Sequence, residues 1–130
     1  MDSLIQFAPI SGVIALIVAA MLFFRVKALP AGNARMIEIG GYIREGSMAF
    51  LGREFKILAV YSLIVFTILT YALSLKTGLA FAFGAFLSLL AGYVGMGSAT
   101  MANFRTAQAA KEHGRGSALM VAFDGGAVMG

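Results

Sequence analysis

Of 130 residues, 60% are hydrophobic and 12% charged, about half the usual ~25% charged fraction of a soluble domain, so lipid rather than water is the expected solvent. The absence of cysteine excludes disulfides and thiolate metal sites, and one histidine, His113, cannot build a zinc site alone. The net charge of +4 is gathered in two polar intervals beside apolar runs, which reads as membrane topology; no nucleic-acid partner is expected.

Leu4 to Phe24 is an apolar run of about the ~20 residues that cross a bilayer, with Pro9 near its start, where a missing amide proton costs least. Asp2 before it, and Phe23, Phe24 and Arg25 at its end, are unlike a cleaved signal peptide, so a retained first span is expected. Residues 25–56 form a polar segment that opens as a loop, with Pro30, Gly32 and Asn33 as breakers. From Arg35 the pattern turns helical, Met36, Ile39, Ile43 and Phe50 sharing one face and Arg35, Glu38, Glu45 and Arg53 lying mostly elsewhere. No proline separates this stem from the next apolar run, so one long helix is predicted to start in water and enter the membrane near Lys56.

Ile57 to Ser74 is free of charge and at 1.5 Å per residue covers roughly 27 Å, the second span. Ser74 to Gly78 is expected as a short turn, followed by an antiparallel third span from about Leu79 to Ala102. Small residues recur in it at helical spacing, Ala80, Gly84, Ser88 and Gly92 in one stripe and Ala91, Gly95, Ala99 and Asn103 in a second. Glycine in a helix costs about 1 kcal/mol in water, whereas in lipid such faces let helices approach closely.

Residues 103–117 make the second polar interval, with Gly114 and Gly116 supplying a turn and Ser117 capping the next helix. The run 118–130 is too short to span and is expected to be the start of a fourth span. Lys and Arg at 25, 27, 35, 44, 53 and 56 and at 105, 111 and 115 fall in the two long intervals, and Lys76 alone in the turn between spans two and three. The positive-inside rule then places both intervals in the cytoplasm and the N-terminus outside. The fold class expected is an all-α, multi-pass transmembrane bundle in a single domain.

Asp124, the one carboxylate inside an apolar run, is the candidate intramembrane polar residue, with an ion-path or buried-pair role set against that of a solvated cavity residue. The GxG of Gly95–Gly97 and the sequence Gly114–Ser117 resemble phosphate loops only faintly, following no strand and lacking the Walker lysine; packing and a helix start are the favoured readings. Arg44, Glu45, Arg53, Glu54 and Lys56 alternate in sign as solvated helix faces do, and a Glu45–Arg53 network would contribute only ~0–1 kcal/mol per pair. Magnesium-assisted phosphate hydrolysis needs converging carboxylates. The only aspartates are Asp2 and Asp124, on opposite sides in this topology, so residues 1–130 are not expected to form a complete active site, and no catalytic, cofactor-binding or metal residue is assigned.

Three stretches, IREGSMAFLGREFK at 43–56, GAFLSLLAGYVGMGSATMANFRTAQAA at 84–110 and ALMVAFDGGAVMG at 118–130, resemble in order and spacing the N-terminal part of a membrane-integral, ion-pumping inorganic pyrophosphatase. The resemblance implies a homodimer of about sixteen helices per chain in a prokaryotic cell membrane. It would hydrolyse cytoplasmic pyrophosphate with Mg²⁺ held beyond residue 130, K⁺ being a second cation to consider, and move H⁺ or Na⁺ outward. Helices one to four would belong mainly to an outer ring, contacting lipid and the remainder of the same chain, with the catalytic motifs downstream. Plant members carry a basic residue where this chain has Asp124, which argues against a common mechanistic role for that side chain. The competing reading is a small non-enzymatic membrane protein, or a transporter half, that oligomerises through span three.

Overall fold

The computed structural model describes the backbone of residues 2–130 and the side chains of residues 7–130, so the side chain of Asp2 and the first residues of the expected first span, Leu4 to Gln6, lie outside the described side chains. The chain forms three helices, α1 (Asp2–Ala28), α2 (Ala34–Ala72) and α3 (Leu75–Ala127). All three are long and apolar enough to cross a membrane. Pro9 falls inside α1 rather than in its first turn. A proline there is tolerable in lipid, where neighbouring groups re-satisfy the freed carbonyl.

The polar connection 29–33 ends as its sequence suggests: the Asn33 side chain accepts a hydrogen bond from the Met36 amide at 2.9 Å and caps α2. At 39 residues α2 is about 58 Å long, roughly twice the ~30 Å of hydrocarbon. Its end is sharper than expected. The Leu73 and Ser74 amides both bond to the Leu69 carbonyl, and Ser74 Oγ caps α3 by accepting from the Thr77 amide. The connection is therefore Leu73–Ser74, and residues 75–78 are already helical.

The second polar interval is also more helical than expected. Helix α3 continues through 103–113 and breaks at Gly114 alone (φ 81°, ψ −173°), so Ser117 lies within helical residues and is not a cap. The break divides α3 into a long limb, 75–113, and a short limb, 115–127, that folds back along it. Ser98 Oγ donates to the Gly125 carbonyl at 3.1 Å, and Gly95 lies beneath the Met129 side chain.

The long limb of α3 is the element on which the other helices rest, since among the described residues the backbones of α1 and α2 approach α3 and not each other. Helix α2 runs antiparallel to it, Phe66 and Thr70 meeting Gly78 at one end and Gly40 meeting Phe104 at the other. Helix α1 runs parallel, with Leu29 beside Arg105 and Leu16 sharing a groove with Leu87. The core lies between α1 and the long limb: Val26, Met101 and Ala102 form it with Phe23 against them.

The face of α2 that packs is not the expected one. Gly40 and Leu51 are buried, with Met36, Ser47, Met48 and Phe55 half-buried, whereas Ile39, Ile43 and Phe50 are exposed. Close approach at a small residue decides the face here, because lipid rewards large apolar residues on either side equally. A methyl at Gly40 would fall on the Phe104 ring, 3.0 Å from Cγ, while Gly41 has open space. Gly40→Ala is therefore expected to destabilise the whole protein by about 1–3 kcal/mol, and Gly41→Ala to be neutral or slightly stabilising. Thermal unfolding in detergent compares them, and equal effects would contradict this packing.

Candidate functional site

The end of α1 brings Arg25 to the short limb of α3 and Val26 against the long limb. Val26 is fully buried there. From the short limb, Val121, Asp124 and Gly125 face the same centre, and from the long limb Ser98, Met101 and Ala102. Gly125 lies directly against Ala102, so the limbs touch at backbone distance and Asp124 is held inside.

Among the described residues Asp124 meets one charged group. Arg25 Nη1 lies 3.4 Å from Asp124 Oδ2; the carboxylate side chain is 7% exposed and the arginine 62%. The arginine thus reaches the carboxylate while most of it stays outside. Nothing in the local sequence signals the pairing, because the partners are brought together only when α1 and the short limb dock on the long limb.

Arg105 is a second polar centre that sequence reasoning used only as a topology charge. Its Nε donates to the Leu29 carbonyl at 3.1 Å, Nη2 to the Lys27 carbonyl at 3.3 Å and Nη1 to its own helix at Met101 O, 2.9 Å. A helix C-terminus leaves carbonyls without intrahelical donors, and one guanidinium satisfies two of these while tying α1 to α3. Its plane also sits 4.7 Å from the Phe104 ring, the side chain that packs on Gly40. Burial lowers the Arg105 pKa from its ordinary value, which still leaves an arginine charged.

The other sequence candidates do not join these centres. Gly95 and Gly97 lie mid-helix, under Met129 and near Met48, as packing positions. Gly114 forms the break, and Gly116 and Ser117 continue as helix, so no phosphate-cradling loop is built. No Glu45–Arg53 pair forms; among the described residues the ion pairs besides Arg25–Asp124 are Arg35–Glu38 and the Glu112–His113 contact. The Ala80–Gly92 stripe faces away from the chain's own helices, with open space over Gly84 and Gly92.

Chemically, the site is a charge-balanced clasp with one carboxylate, and among the described residues no three His, Cys, Asp or Glu side chains converge as a metal site would require. Comparison with known proteins supplies what this geometry does not. Residues 13–130 match the model of the family described as inorganic H+ pyrophosphatase. A Clostridium tetani protein named "Putative K(+)-stimulated pyrophosphate-energized sodium pump" is 49% identical over 130 residues, covering all of this chain and 19% of that protein. A Methanosarcina mazei protein named K(+)-insensitive pyrophosphate-energized proton pump is 43% identical, covering all of this chain and 20% of its own length. A Thermotoga maritima protein named K(+)-stimulated pyrophosphate-energized sodium pump is also 43% identical, covering 90% of this chain and 16% of its own. The chain spans about a fifth of the length of such relatives.

Proposed function

This chain belongs to the inorganic H+ pyrophosphatase family, and we propose that the whole protein is a pyrophosphate-energised pump, coupling hydrolysis of cytoplasmic pyrophosphate to movement of H⁺ or Na⁺ across the membrane. The observation that carries this reading is 49% and 43% identity along the whole chain to proteins named as such pumps. Those names divide on both the ion and potassium, so likeness to them favours neither H⁺ nor Na⁺ as the ion moved.

Residues 1–130 contribute packing helices, and hydrolysis falls to residues outside them. Magnesium-assisted phosphate chemistry requires several carboxylates around the ion, and the residues described here do not fit it: Asp124 is already matched by Arg25. Mg²⁺ is therefore assigned to other parts of the protein. The N-terminus is taken to face outward from a prokaryotic cell membrane, in line with the placement of Lys and Arg. The open stripe at Ala80–Gly92 suits further helices of the same chain, and the assembly proposed is a homodimer.

Inverted membrane vesicles carrying the whole protein are expected to release phosphate from added magnesium pyrophosphate while taking up H⁺ or Na⁺. Hydrolysis without an ion gradient, or neither, overturns the proposal. A non-enzymatic membrane protein that oligomerises through its third span predicts the second of these failures.

A further inference from the structure

A cavity of about 280 Å³ opens where α1, α2 and α3 cross beside the Arg105 staple. Lys27, in the last turn of α1, and Arg44, on α2, line it from two different helices. Phe23, Met48, Val94, Gly97 and Met101 supply apolar walls, Tyr93 adds a phenol, and no acidic side chain lines it. Among the described residues neither cation enters an ion pair, although Arg25, two residues from Lys27, is matched by Asp124. Two unmatched positive groups around one cavity repel each other, and an anion placed between them relieves that repulsion.

We propose that this crossing binds an anionic phospholipid, its headgroup phosphate lying between Lys27 and Arg44 and its acyl chain leaving over Phe23 and Val94. Basic pockets between transmembrane helices at the cytoplasmic surface suit such headgroups. A lipid is favoured over free phosphate because a small anion would leave the apolar walls facing water. The site rests on the membrane location and on the orientation proposed above, and on nothing about hydrolysis.

The whole protein reconstituted in nanodiscs of mixed phosphatidylglycerol and phosphatidylcholine, then extracted and analysed by native mass spectrometry, reads lipid retention directly. The wild type is expected to retain phosphatidylglycerol. The Lys27→Gln/Arg44→Gln variant should retain it about 25-fold more weakly, at about fivefold per cation, while Arg53→Gln, off the cavity, should match the wild type. Gly97→Val offers an independent route that keeps both charges. A Cβ at this position meets only the flexible end of Met48, Cε at 3.9 Å, so a side chain here can project into the cavity and should displace the lipid. Retention unchanged in both variants overturns the site, as does a wild type with no preference for the anionic lipid. Displacement of the bound lipid by millimolar inorganic phosphate or pyrophosphate would reassign the cations to a free anion. Pyrophosphate-driven transport by the same variants is measured separately in inverted membrane vesicles, so loss of the lipid site and loss of the pump reading are distinguishable.

Discussion

Arg25→Ala is expected to destabilise the whole protein by about 3 kcal/mol, Asp124→Asn by less than about 1 kcal/mol, and the double variant to recover a large part of the Arg25→Ala loss. The asymmetry follows from where the two charges sit. Asp124 is 7% exposed and Arg25 62%. Removing the arginine leaves a carboxylate that is only 7% exposed with no counter-charge, which is the costly way to break a buried pair. Removing the carboxylate leaves an arginine that already lies mostly outside, and exposed pairs are worth little. Asparagine keeps the shape and an acceptor for Arg25, and in the double variant it removes the stranded charge. Thermal unfolding of the four proteins in one detergent gives the coupling directly. Equal losses in the two single variants, with no recovery in the double, would refute the clasp.

The same pair marks where sequence reading stops. Helix limits are only partly legible: the breakers Pro30, Gly32 and Asn33 mark the connection before α2 and Gly114 marks the break in α3, but residues 75–78, expected as a turn, are helical, and Ser117, expected as a cap, lies within helix. Faces are not legible. A helix in water betrays its core side by alternating with a polar side, but α2 and α3 are apolar around much of their circumference, and the periodicity through Ile39, Ile43 and Phe50 has no bearing on which side packs. Contact is set instead by small residues under large ones, Gly40 under Phe104 and Gly95 under Met129. Such pairs cannot be matched along the sequence without knowing register. Arg25 and Arg105 illustrate the same limit among polar groups. Both count equally in a topology rule, yet one neutralises a carboxylate on the short limb and the other holds the open carbonyls of α1, roles that arise only from the parallel docking of α1 on α3.

Gly114→Ala should lower stability by about 1–3 kcal/mol, whereas Gly116→Ala, two residues on, should be neutral or stabilising by up to about 1 kcal/mol. Gly114 combines φ 81° with ψ −173°, a conformation essentially confined to glycine. Gly116 is helical, its φ is ordinary and a Cβ there meets nothing within 4 Å. Strain is only part of the expected loss. The route open to an alanine in place of Gly114 is to continue the helix, and a continued helix points residues 115–127 away from the long limb. Asp124 would leave Arg25, and the Gly125 carbonyl would leave Ser98, so the break, the clasp and the limb contact fail together. A second measurement separates this from simple strain. Ala99 and Ala122 line one cavity between the limbs, so Ala99→Cys/Ala122→Cys in an otherwise cysteine-free whole protein should be joined by a short thiol cross-linker. Adding Gly114→Ala should abolish the cross-link, and adding Gly116→Ala should preserve it. Cross-linking that survives Gly114→Ala would mean that contacts between the limbs, rather than the glycine, enforce the reversal.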